Sequence, residues 1–118
     1  YMVYESIKAS NHLEKEGIDA EVIDLRSIKP LDKNLILESV KKTGRLVIAD
    51  GGWKTCGFAA EISALACENI FEYLKAPIIR VTLPDTPAPA SSALERYYYP
   101  NSKDIIRVIK EMVRCHIK

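Results

Sequence analysis

Apolar positions along this 118-residue chain alternate between two periods. Residues 2–16, through Tyr4, Ile7 and Leu13, carry helical spacing, and Gly17 is placed to close that helix in the left-handed conformation. Residues 20–25 (AEVIDL) form a short apolar-biased run that predicts a strand. The chain turns over 27–30, and Asp32 stands as the N-cap of a helix running to Thr43, with Leu35, Ile36 and Val40 inward and Gly44 at its end. Residues 45–49 (RLVIA) are nearly unbroken in apolar character, as suits a strand covered on both faces. A glycine-rich loop over 50–57 leads into a helix over 58–74, whose stripe is Phe58, Ile62, Leu65, Ala66 and Ile70. Residues 77–83 predict the next strand, and a proline-punctuated stretch over 84–100 follows. The last predicted helix covers 102–116, with Ile105, Ile106, Ile109, Met112 and Val113 on its apolar face.

Helices alternating with strands imply right-handed crossovers and an α/β fold: a mostly parallel sheet in a three-layer α/β/α arrangement. Val22, Ile23, Leu46, Val47, Ile48, Ile79 and Val81 are expected at its centre. Three predicted strands are few for such a sheet, and one more strand just upstream of Tyr1 would complete the alternation. The chain opens on Tyr1 rather than Met, so 1–118 is expected to be one domain cut from a longer polypeptide.

Composition narrows the function classes. A chain of this length buries roughly two-thirds of its surface on folding and needs no disulfide or metal staple. Lys plus Arg is 17 and Asp plus Glu is 16, a formal charge of +1. Dedicated nucleic-acid and membrane-surface binders lean on net basic charge, which this chain lacks. No apolar run approaches the roughly 18 residues of a membrane span. Cys56, Cys67 and Cys115 are odd in number and lack CxxC spacing, a pattern that suits a reducing, cytoplasmic setting.

The sharpest local feature is the loop from Asp50 to Gly57, since ligands in open α/β sheets bind at the carboxyl ends of strands. Gly52 and Gly57 have the spacing of a phosphate loop, but Phe58 and Ala59 follow where Lys and Ser or Thr are required. The loop is therefore read as shaping backbone and packing, with Trp53 contacting another domain or subunit. The alternative is a free-standing module that binds a small anionic ligand between Gly51 and Gly57. Cys56 begins a helix, where a thiol pKa can fall, yet His12 and His116 lie in distant segments. No metal-ligand spacing is present, and Asp19, Asp24, Asp50 and Asp85 form no evident acid/base pair. No catalytic, cofactor-binding or metal residue is therefore assigned. Pro84, Pro87 and Pro89 stiffen the segment that also holds Asp85 and Thr86, and Tyr97 opens a run of tyrosines just beyond. With Trp53, these residues are the expected subunit interface.

In this order, GIDAEVIDLRSIKPLD, ESVKKTGRLVIADGGWKTCGFAAEI and LKAPIIRVTLPDTPAPASSALE resemble the carboxyl-terminal domain of the transketolase-like β subunit of 2-oxo acid dehydrogenases. Pyruvate, branched-chain 2-oxo acid and acetoin dehydrogenases share that subunit, and the resemblance runs from residue 1 to 113. It implies a missing amino-terminal pyrimidine-binding domain. It also implies thiamine diphosphate and magnesium held in the parent enzyme by other parts, and a fragment inactive alone. Its implied role is assembly, through a two-fold β–β contact, contact with the α subunit and, in many complexes, docking of the basic subunit-binding domain of the acyltransferase component. Three positions depart from the family: Ala90 stands where Tyr is usual, Asp50 where Glu is common, and Lys75 where an acid is common. Lys75 falls at the implied acyltransferase-docking surface, where reversing the charge turns attraction into repulsion.

Overall fold

The structure is a computed structural model that describes residues 1–114. Its elements run α1 (Met2–Glu14), α2 (Lys33–Thr43), β1 (Val47–Trp53), α3 (Phe58–Ile70), a 3-10 turn (Phe71–Tyr73), β2 (Ile79–Leu83), α4 (Ser92–Tyr98) and α5 (Ser102–Arg114). None of these helices is long and apolar enough to cross a membrane. The predicted end of the last helix, at 115–116, lies outside the described residues.

Local chemistry sets the helix ends. Gly17 and Gly44 hold φ of 79° and 72°, conformations that cost a residue with a Cβ, and they stop α1 and α2. The Asp32 carboxylate accepts the Leu35 N–H at 3.0 Å and so satisfies one orphan donor of α2.

β1 and β2 pair in parallel, with Val47 opposite Ile79 and Ala49 opposite Val81. The pleat sends alternate residues to two separate cores. Val47, Ala49, Ile79 and Val81 pack with Ala9 of α1 and with Ile105 and Val108 of α5. Leu46, Ile48 and Ile78 pack instead against Ile36 and Val40 of α2 and Ile62, Ala66 and Ile70 of α3. Helices thus cover both faces of a parallel sheet, the three-layer α/β/α arrangement expected from the alternation.

Six expectations are corrected. Leu35, expected inward on α2, is 48% exposed, and β1 continues to Trp53 through the first half of the expected 50–57 loop. Residues 20–25 carry no regular secondary structure and pair with no strand among the described residues, so the described sheet has two strands rather than three. Their alternation survives, with Ile23 and Leu25 half-buried, but Val22 is exposed instead of central. The long helix predicted to residue 74 ends at Ile70 and tightens into the 3-10 turn. The proline-punctuated stretch contains a helix, α4, unforeseen because prolines flank it on both sides.

The first and last helices are joined by a buried carboxylate. Glu5 of α1 is 6% exposed and accepts the Ser102 N–H at the start of α5 at 2.7 Å. That bond, chief among its contacts, holds the Glu5 carboxyl below the usual carboxylate range.

Candidate functional site

The loops leaving β1 and β2 meet at the carboxyl end of the sheet, and a set of side-chain bonds ties them together. Asp85, just past β2, accepts the Thr55 N–H at 2.9 Å and the Thr55 hydroxyl at 2.7 Å. The Trp53 indole N–H donates to the Tyr98 hydroxyl at 3.3 Å, and that hydroxyl donates to the Thr86 carbonyl at 2.8 Å. Arg80 donates to the Lys54 carbonyl at 2.9 Å. Tyr98 is buried and meets Tyr99 edge to face, with ring centroids 5.0 Å apart.

Asp50, inside β1, ties the end of that strand to the start of α3. One carboxylate oxygen accepts the Gly52 N–H at 3.0 Å, and the other accepts the Ala59 N–H at 3.3 Å in the first turn of α3. The helix N-terminus, where an anion would be favoured, is thus already faced by a carboxylate of the chain itself. Gly57 packs so closely under Trp53 that a Cβ there would lie 2.0 Å from the Trp53 carbonyl oxygen.

The result is a pinned surface with its aromatics outward. Trp53 is 56% exposed, Tyr97 82% and Leu94 57%, while Tyr98 beneath them fixes the tryptophan's edge. Of the expected interface residues, Trp53 ends β1, Pro84, Asp85, Thr86, Pro87 and Pro89 fall on the loop after β2, and Tyr97 stands on the adjoining α4. Lys75 does not join them. It precedes β2, and its N–H donates to the Gly44 carbonyl at 2.8 Å, at the opposite end of the parallel strands. Sequence reasoning missed Thr55 and Tyr98, the two residues that hold the loops together. A threonine and an aspartate 30 positions apart share no periodic signal, and nothing local distinguishes the middle tyrosine of a run.

The Thr55 hydroxyl and N–H hold the Asp85 carboxyl below its usual value of 3.8. A depressed folded-state pKa stabilises the fold above the unfolded value and ceases to do so as pH falls through the folded one. Asp85→Asn should therefore be less stable than the natural chain at pH 7, by a margin that is constant down to about pH 5 and shrinks below about pH 4. Urea melts at stepped pH read this, and a margin unchanged at low pH would contradict the clamp.

Residues 1–105 match the family model for the transketolase C-terminal domain. Over 113 residues the chain is 44% identical to the pyruvate dehydrogenase E1 component subunit beta of Rickettsia bellii (strain RML369-C), covering 96% of this chain and 34% of that protein. The corresponding subunit of Bacillus subtilis (strain 168) is 43% identical, over 95% of this chain and 34% of its own length. The acetoin:2,6-dichlorophenolindophenol oxidoreductase subunit beta of Cupriavidus necator is 42% identical, over 96% of this chain and 33% of its own. The chain therefore spans about a third of the length of the curated relatives it matches. Among solved structures, a split-gene transketolase described as an inactive beta4 tetramer superposes with a TM-score of 0.84 at 26% identity, over 98% of this chain and 37% of that one. Three layers, two parallel strands ending in a pinned loop pair, and a match over residues 1–105 lead to one assignment: this chain belongs to the transketolase C-terminal domain family.

Proposed function

We propose that the chain is the non-catalytic assembly domain of the β subunit of a thiamine-diphosphate-dependent 2-oxo acid dehydrogenase. The observation that carries this reading is the exposed aromatic surface of Trp53 and Tyr97, held by the Asp85–Thr55 clamp. Polar groups at this edge fix backbone, and the outward face is built for contact rather than for chemistry. A diphosphate–magnesium site needs oxygen ligands free for the cation. Asp50 and Asp85, the acids of this edge, each use both oxygens on N–H or O–H donors of their own chain. In this reading the cofactor is held by other parts of the parent enzyme, and the donors already on both acids of this edge support that.

The relatives' names support a β-subunit setting, and with it contact with an α subunit and a second β subunit. The acyltransferase component is a further partner in this reading, though the exposed Lys75 opposes a basic one. The exposed free thiols of Cys56 and Cys67 suit a reducing, cytoplasmic compartment.

A two-fold contact uses one patch twice, so a substitution there acts twice. Trp53→Ala should raise the dimer dissociation constant at least about tenfold, and Lys54→Ala should change it about twofold or less, because buried aromatics dominate such interfaces. Sedimentation equilibrium over a concentration series measures both. Equal effects of the two substitutions, or a natural chain monomeric at every concentration, would count against self-association through this face. A dimer indifferent to both would move the contact elsewhere.

A further inference from the structure

Helices α1 and α5 pack side by side, and a groove of about 620 Å³ runs between them. Its lining is one-sided in charge: Lys8 and His12 from α1 and Lys103, Arg107, Lys110 and Arg114 from α5, against the single carboxylate of Glu111. The whole chain has 17 Lys and Arg against 16 Asp and Glu, so acids outnumber bases over the rest of it. The four α5 cations recur at intervals of four, three and four residues. That spacing sets them on one stripe of the helix, about 16 Å long.

Helix stability does not account for the stripe. Like charges three and four residues apart destabilise a helix, and Lys103, a cation in the first turn, opposes the helix dipole. Carboxylates of the chain relieve only the middle. Lys110 reaches Glu16 at 2.6 Å, and Arg107 lies 3.6 Å from Asp104 and 4.0 Å from Glu111. Across the groove Lys8 pairs with Glu5 at 3.1 Å, and the other oxygen of Glu5 is already taken by the Ser102 N–H. Lys103 and Arg114, at the two ends, are exposed and have no carboxylate partner among the described residues. Ile106, half-buried, adds an apolar patch to the lining.

We infer that this groove docks an acidic helix of another polypeptide, with Asp or Glu recurring every three to four residues and an apolar residue set against Ile106. The steps between cations are about 4.5–6 Å along the axis, those at which a second helix repeats its own face. An extended segment repeats a face every 6.7 Å or so and would be out of step by about 4 Å at the fourth contact. Charge distribution selects a short segment over nucleic acid. A duplex carries one charge per about 1.7 Å and would run beyond the groove onto the acid-richer remainder of the chain. A membrane surface cannot enter a cleft between two helices. Exposed ion pairs are individually weak, so the contact is transient and salt-sensitive. Neither Trp53 nor Tyr97 lines the groove, and the inference stands apart from the assembly reading.

The probe is a fluorescent alanine-rich peptide about four turns long, with glutamates at the same intervals of four, three and four and a leucine beside them. Its isomer divides the glutamates between opposite faces. Anisotropy titrations at low ionic strength should show the striped peptide binding at least about fivefold more tightly than the isomer. Reversing Lys103→Glu together with Arg114→Glu breaks none of the chain's own ion pairs and should raise the striped peptide's Kd at least about tenfold. Lys29→Glu with Lys33→Glu, both exposed and outside the groove, should change it about twofold or less. The groove variant loses like-charge neighbours and should melt no lower than the natural chain, so the lost binding is read on folded protein. Equal binding of the two peptides, equal effects of the two double variants, or no binding at about one millimolar peptide would overturn the inference. So would transfer RNA or phosphatidylserine vesicles that bind through Lys103 and Arg114 more tightly than the peptide at the same salt.

Discussion

Gly57→Ala should lower stability by about 3 kcal/mol, the upper end of what overpacking a rigid site costs. The backbone of Gly57 is ordinary, with φ −77° and ψ 158°, so no left-handed conformation demands glycine there. The demand is spatial: the added Cβ would stand 2.0 Å from the Trp53 carbonyl oxygen, a backbone atom unable to swing away as a side chain could. Relief requires moving the end of β1 or the start of α3, and either displaces the bonds from Asp50 to Gly52 and Ala59. Gly51→Ala is the control. A Cβ there meets only the Met2 side chain at 4.0 Å, and its cost should stay within about 0.5 kcal/mol. Urea denaturation with unchanged m-values measures both, and a Gly57→Ala loss below about 1 kcal/mol would mean that the turn yields.

Ile70→Ala should cost about 2–5 kcal/mol, whereas Phe71→Ala next to it should cost about 0.5 kcal/mol or less. Ile70 is 1% exposed and packs with Ile36, Val40, Ile62 and Ala66, so truncation leaves a cavity between α2 and α3. Phe71 is 71% exposed because the helix tightens into the 3-10 turn at that residue and throws the larger ring outward. Thermal melts of the two variants would show the smaller aliphatic residue outweighing the aromatic. Comparable losses would place Phe71 in a core.

What could be read from sequence was local or periodic. Asp32, Gly17 and Gly44 declare themselves because a cap or a left-handed turn depends on a few adjacent residues. The apolar run of Leu46, Val47 and Ile48 announces a strand covered on both faces, and the structure divides those residues between two cores. The 20–25 segment carries a strand's alternation, but a ladder is a property of two backbones, and only one of them is in those residues. Helix α4 was masked by Pro84, Pro87, Pro89 and Pro100, although 92–98 contains no proline. At the site, Trp53 and the proline loop were visible as unusual residues, while their attachment was not. The bonds from Thr55 to Asp85 and from Trp53 to Tyr98 span 30 and 45 positions and exist only once the two strands lie side by side.

The bond from Glu5 to the Ser102 N–H closes a loop of 97 residues, nearly the whole chain. Closing so long a loop carries a chain-length entropy of about 4 kcal/mol, against about 3 kcal/mol for one a third as long. The two sides of the sheet therefore differ in when they can form. The layer of α2 and α3 draws on neighbours between residues 25 and 78 and is free to condense while the chain is still emerging from the ribosome. The layer of α1 and α5 cannot be complete until the last helix has been made, so α1, the first described helix to be synthesised, waits longest for part of its packing.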